Sequence, residues 1–105
     1  MTTVDLSGPG ALDRHAQLTE LGQQLVSAAV AFSLAEDEMH RAEQVCGEIR
    51  SRVPPGVMPP PSVMRELNTA HEVSRQAFAT VKKREATWKD IARKITKVLD
   101  GATRL

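Results

Sequence analysis

Aromatic residues are scarce in this chain: Phe32, Phe78 and Trp88 make up 3% of 105 residues, and tyrosine is absent. A globular core built around rings is therefore excluded, and burial must come mainly from Ala, Leu and Val. There is one cysteine, Cys46, so no internal disulfide can form and the redox compartment is left open. Long apolar runs are missing too. The longest, Leu25–Ala35, is broken by Ser27 and Ser33 and falls short of the ~18 residues that a membrane span needs. The amino-terminal Met1-Thr2-Thr3-Val4-Asp5 has neither the basic start nor the apolar stretch of a signal peptide. No membrane span and a cytoplasmic location are expected, with non-classical secretion as the alternative. A net charge of +1 supplies no global argument for nucleic acid or a charged membrane surface.

Proline is confined as well. Five of the six prolines fall in Pro54-Pro55-Gly56-Val57-Met58-Pro59-Pro60-Pro61, where no helix can continue. Pro54 ends the preceding helix and disfavours the α region at Val53. The segment is expected to be extended, with polyproline character and no internal hydrogen bond. Ser62 is the expected N-cap of the second helix, and Asp100-Gly101 its expected stop. Residues 1–10, with Ser7-Gly8-Pro9-Gly10, read as a flexible tail in which Pro9 suits a first helical turn.

Between these marks the apolar spacing is helical. On the first arm it runs Leu18, Leu21, Leu25, Ala28, Phe32, Ala35, Met39, Ala42, Cys46, Ile49, Val53, an unbroken 3,4 alternation over five heptads. The a positions are mostly large and the central d positions small, which lets a partner helix approach closely. On the second arm the seam is Val63, Leu67, Ala70, Ser74, Ala77, Val81, Arg84, Trp88, Ile91, Ile95, Val98, Ala102. A flanking row of Met64, Phe78, Ala92 and Leu99 widens it toward the breadth that a bundle requires.

The predicted fold is all-α: an antiparallel two-helix hairpin of long, coiled-coil-like helices, with two copies pairing into a four-helix bundle. One domain is expected over 11–105, with a helix over 11–53, a turn over 54–61 and a helix over 62–100. At 1.5 Å per residue each helix would be about 55–65 Å long, a poor scaffold for a compact enzyme.

Charge divides between the arms. Residues 1–53 carry four basic and eight acidic side chains, and residues 54–105 carry ten and five, balances of −4 and +5. Such a division favours antiparallel pairing. If Val53 faces Val63, Glu36-Asp37-Glu38 comes within about a turn of Lys82-Lys83-Arg84, where exposed pairs set register more than they stabilise, at ~0–1 kcal/mol each.

The same register brings Cys46 near His71, with Glu43 and Glu72 close by. These are the best metal-ligand candidates, but paired Cys or His at short spacing is absent, and no metal is assigned. His15 and His40 are isolated on helical surfaces. The serines lack a nucleophile elbow, no Gly-rich phosphate loop follows a strand, and the carboxylate pairs lie on solvated helices. No enzyme and no cofactor are expected.

Lys82, Lys83, Arg84, Lys89, Arg93, Lys94 and Lys97 make a basic stripe, interrupted by Glu85, Asp90 and Asp100. Polyanion contact through Lys82, Lys83, Lys89, Arg93 and Lys97 is the sharper reading of it, and a solvated face the simpler one; nucleic acid is not the expected partner. Trp88, opposite about Ala28, reads as seam packing. Pro59-Pro60-Pro61 could be read by an aromatic groove, but a stiff cap explains it more simply.

Val26, Val30 and Leu34 recur at i, i+4, i+8 away from the seam, leaving residues 25–35 apolar nearly all round. A hairpin has nothing to cover that second face, and contiguous apolar surface marks interfaces. The expected association surface is Val26, Val30, Phe32 and Leu34 with Met64, Phe78 and Leu99. The expected function is that of a structural or adaptor protein working by helix–helix association, with a homodimer or a helical protein as partner.

A chain of this length with two antiparallel helices and one turn resembles, in outline, the WXG100 family of small secreted bacterial proteins. Those carry Trp-x-Gly in the turn and often a Tyr-x-x-x-Asp/Glu tail. Here the turn is Pro54–Pro61, the one tryptophan is Trp88 inside the second helix, and tyrosine is absent. Needle and chaperone proteins of type III secretion share the outline. The resemblance implies a secreted or secretion-associated helical hairpin as an alternative function. A nucleic-acid-associated regulator using the basic stripe is the third.

Overall fold

A computed structural model describes residues 10–103, which form two helices, α1 (Ala11–Ser51) and α2 (Pro61–Thr103). No strand occurs among the described residues. The chain is an all-α hairpin, as its heptads require. The tail expected over residues 1–9 and the role expected of Pro9 lie outside the described residues.

The helix ends differ from expectation in instructive ways. Gly10, at φ 77°, precedes α1, and its carbonyl accepts from the Arg14 amide at 2.9 Å. At its other end α1 stops at Ser51, not Val53. The Arg52 and Val53 amides donate to the Ile49 and Arg50 carbonyls, both at 3.2 Å, a tightened final turn forced by Pro54. The Ser51 hydroxyl donates to the Glu48 carbonyl at 2.7 Å.

The linking segment holds an internal hydrogen bond that the polyproline reading did not anticipate. The Val57 amide donates to the Pro54 carbonyl at 3.2 Å, and Gly56 sits at φ 80°. Proline second and a positive-φ glycine third is the residue pattern of a type II turn. Nor is Ser62 the cap of α2. That helix starts one residue earlier, with Pro61 in its first turn and the Pro60 carbonyl accepting from the Met64 amide at 2.9 Å. Proline has no amide to satisfy at that position and its φ already suits the helix. At the far end α2 runs through Asp100-Gly101 to Thr103, so this glycine continues the helix where a stop was expected.

The described residues divide into two compact units, residues 32–83 and residues 10–31 with 84–103. In the first, Cys46, Ile49 and Ala70 are buried together, with Val63 and Leu67 packed against them. That pairing of α1 with α2 in opposite sequence direction makes the unit antiparallel, in the register that sets Cys46 level with Ala70. Ala35, Ala42 and Val81 are also buried, and Phe32, Met39, Val53, Ser74 and Ala77 are half-buried. In the other unit Ile91 is buried, and Leu18, Leu21, Leu25, Ala28, Ile95 and Val98 are half-buried. Every seam position of α1 from Leu18 onward is at least half-buried.

On α2 the seam has a gap. Arg84 and Trp88 are exposed, Trp88 at 39%. The expectation that Trp88 fills the seam is thus corrected: it is too large to be enclosed by one neighbouring helix, and a hairpin has no second.

Candidate interaction surface

Within residues 32–83 the apolar side chains that the seam does not use stand in solvent. Leu34 is 58% exposed, Phe78 52% and Met64 39%, while Phe32 is half-buried on the seam. Lys82 Nζ lies 5.3 Å from the Phe78 ring centroid, a cation–π contact that shields one face of the ring. In the other unit Val26, Val30 and Leu99 are exposed.

Two further exposed aliphatics, Val45 and Val73, escaped the sequence reading. They sit at g positions, each just before a seam residue (Cys46 and Ser74), and so stand beside the seam on the same side of the hairpin. An isolated valine per heptad gives no periodic signal; only pairing α1 with α2 reveals the two as neighbours. They border two adjacent open hollows of about 550 and 500 Å³. Both hollows are lined by Ala42, Val45 and Val73. The first extends to Ile49, Glu66, Thr69 and Ala70, the second to Glu38, Arg41, Gln76, Ala77 and Thr80. Alanines at Ala42, Ala70 and Ala77 make the floor shallow and let another backbone approach.

The metal-ligand candidates each have other surroundings. Cys46 is buried in the apolar cluster. His71 Nε2 meets the Arg50 guanidinium at 3.2 Å. Glu43 pairs with His40 at 3.7 Å along α1, and Glu72 pairs with Arg75 along α2. Among the described residues no three His, Cys, Asp or Glu side chains gather as a metal would need. His15 contributes its carbonyl to the Thr19 hydroxyl at 2.9 Å.

Much of the basic stripe is compensated along its own helix. Lys89 pairs with Glu85 at 2.7 Å, and Lys94 and Arg93 reach Asp90 at 3.3 and 3.9 Å. From the turn after α1, Arg52 Nη1 pairs with Glu66 Oε2 of α2 at 3.0 Å. No helix among the described residues is long and apolar enough to cross a membrane. No protein-family model, curated protein or solved structure matches the chain.

Proposed function

We propose that this is a non-enzymatic structural or adaptor protein that works by helix–helix association, with a second copy or a helical protein as its partner. The observation that carries the reading is the exposure of large aliphatic and aromatic side chains that the seams of the two helices do not use. Val26 and Val30 stand out in one unit, Leu34 and Phe78 in the other. Exposed apolar side chains gathered on one helix are characteristic of interfaces, where burying each contributes about 1.5–3 kcal/mol. Two hairpins pairing into a four-helix bundle is the geometry that heptad surfaces favour. The cytoplasm is the setting of this reading, and recovery from culture supernatant would favour the secretion-associated alternative instead.

The test is the pair Val30→Asp with Leu34→Asp. Both residues are exposed, so helicity by circular dichroism should hold while association, read by light scattering, is lost. An unchanged mass would remove this surface from the function. Affinity capture from the native host with mass spectrometry, wild type against the pair, then identifies any helical partner the surface holds.

A further inference from the structure

The hollowed side of residues 32–83 carries a charge order that is complementary to a second copy of itself. Along α1, Glu38 and Val45 hold g positions and Arg41 and Glu48 hold c positions on the same side, while Arg52 follows seven residues after Val45 in the tightened turn just past the end of α1; all five are exposed. Glu38 and Arg52 stand seven residues before and after Val45, and Arg41 and Glu48 four before and three after. Read outward from Val45, each acid on one side meets a base on the other. A two-fold axis reverses one copy against the other, so residues at nearly the same distance on either side of the axis come opposite each other.

We propose that this side is a self-recognition surface, two copies meeting antiparallel about a two-fold axis that passes by Val45 and Val73. Glu38 then faces Arg52 of the second copy and Arg41 faces Glu48 of the second copy, each pair occurring twice. Val45 meets its own equivalent at the axis.

Helix α2 obeys the same axis. About Val73, Thr69 is set against Gln76 of the second copy and Glu66 against Thr80 of the second copy, combinations that hydrogen-bond and contain no like charges. The hollows obey it too: Val45 and Val73 form the ridge between them, with one hollow on each side. The glutamate–arginine pair Arg52–Glu66 already within each copy, at 3.0 Å, holds Arg52 on this side. A parallel arrangement would bring Glu38 against Glu38 and Arg52 against Arg52, which costs affinity. The contact spans roughly 20 Å of α1 at 1.5 Å per residue, and the turn that follows it. It is small, so dissociation in the micromolar range is expected. The proposal uses none of Val26, Val30 and Leu99.

The test uses charge reversal at exposed positions, which the hairpin tolerates. Arg41→Glu alone and Glu48→Arg alone each set like charges opposite one another twice, raising the dissociation constant on the order of tenfold or more. The neutral Arg41→Gln should fall between these and the wild type. Mixing the two reversed proteins restores opposite charges across both contacts, so a heterodimer should form where neither protein dimerises alone. In a Cys46→Ala background, Val45→Cys should form a disulfide-linked dimer on mild oxidation, while His40→Cys, at an exposed b position on the other side of α1, should not. A wild type that stays monomeric at high micromolar concentration overturns the proposal, as does a mixture no more associated than its components. Loss of association in Val30→Asp/Leu34→Asp but not in either reversal would retain the surface of Val30 and Leu34 and overturn this one. The opposite pattern would do the reverse.

Discussion

Cys46 of α1 and Ala70 of α2 lie buried in one apolar cluster, at 3% and 8% exposure, and so fix which turn of one helix meets which turn of the other. A thiol opposite a methyl leaves room for Ile49 and Leu67 on the next turn.

That cluster should dominate the stability of its unit. Ile49→Ala removes a buried side chain and should cost about 2–4 kcal/mol, and Ala70→Leu should cost about 1–3 kcal/mol by overpacking. Urea unfolding followed by circular dichroism measures both. The Cys46 thiol should react with a disulfide reagent only as fast as the helices open, and promptly in denaturant.

Arg52–Glu66 joins the turn after α1 to α2 but stands in solvent, with side chains 57% and 56% exposed. A double-mutant cycle through Arg52→Ala and Glu66→Ala should return a coupling below about 1 kcal/mol that shrinks as salt is added. A larger, salt-resistant coupling would mean that the pair is shielded by something the free hairpin does not contain.

Two glycines should respond to alanine with opposite signs. Gly47 is helical and exposed, with no atom within 4 Å of an added Cβ, so Gly47→Ala should stabilise by about 0.5–1 kcal/mol through helix propensity. Gly56 has equal room but sits at φ 80°, where a side chain strains the turn, so Gly56→Ala should destabilise by about 1 kcal/mol. Thermal melts of the two variants settle the signs.

The hairpin was legible because its signals were redundant. The 3,4 spacing of α1 named Ala35, Ala42, Cys46 and Ile49, and these are its buried seam residues beyond Phe32. The helix ends were less legible because several residues compete for each boundary. Ser62 is a good cap in isolation, yet Pro61 starts a helix with no unsatisfied amide of its own. Gly101 ends helices where a left-handed residue is needed, and here the helix continues through it. Arg84 and Trp88 kept the period but not the burial, since period reports direction alone. Val45 and Val73 were invisible because their relation spans two helices. The outward Val26, Val30 and Leu34 were visible because they share one.

Trp88 offers a direct reading of that difference between period and burial. At 39% exposure its fluorescence should be quenched readily by acrylamide in the folded protein. Trp88→Ala should cost less than the ~3–5 kcal/mol typical of an enclosed ring. Protection from the quencher that rises with protein concentration would show the ring being covered by association.

The basic stripe should bind polyanions weakly because its own carboxylates occupy it. Glu85 holds Lys89, and Asp90 engages both Arg93 and Lys94. These pairs are exposed and individually weak, but a bound polyanion must displace them before it gains anything. Wild-type protein should therefore leave a heparin column at low salt. Glu85→Gln with Asp90→Asn frees three cations and removes two negative charges from the stripe, so elution should move to distinctly higher salt. Lys82→Glu with Lys83→Glu should move it lower still, and should also expose the Phe78 ring that Lys82 covers at 5.3 Å. If releasing the carboxylates leaves elution unchanged, the lysines of α2 do not act together as a patch, and their charge serves the pairing of an acidic helix with a basic one.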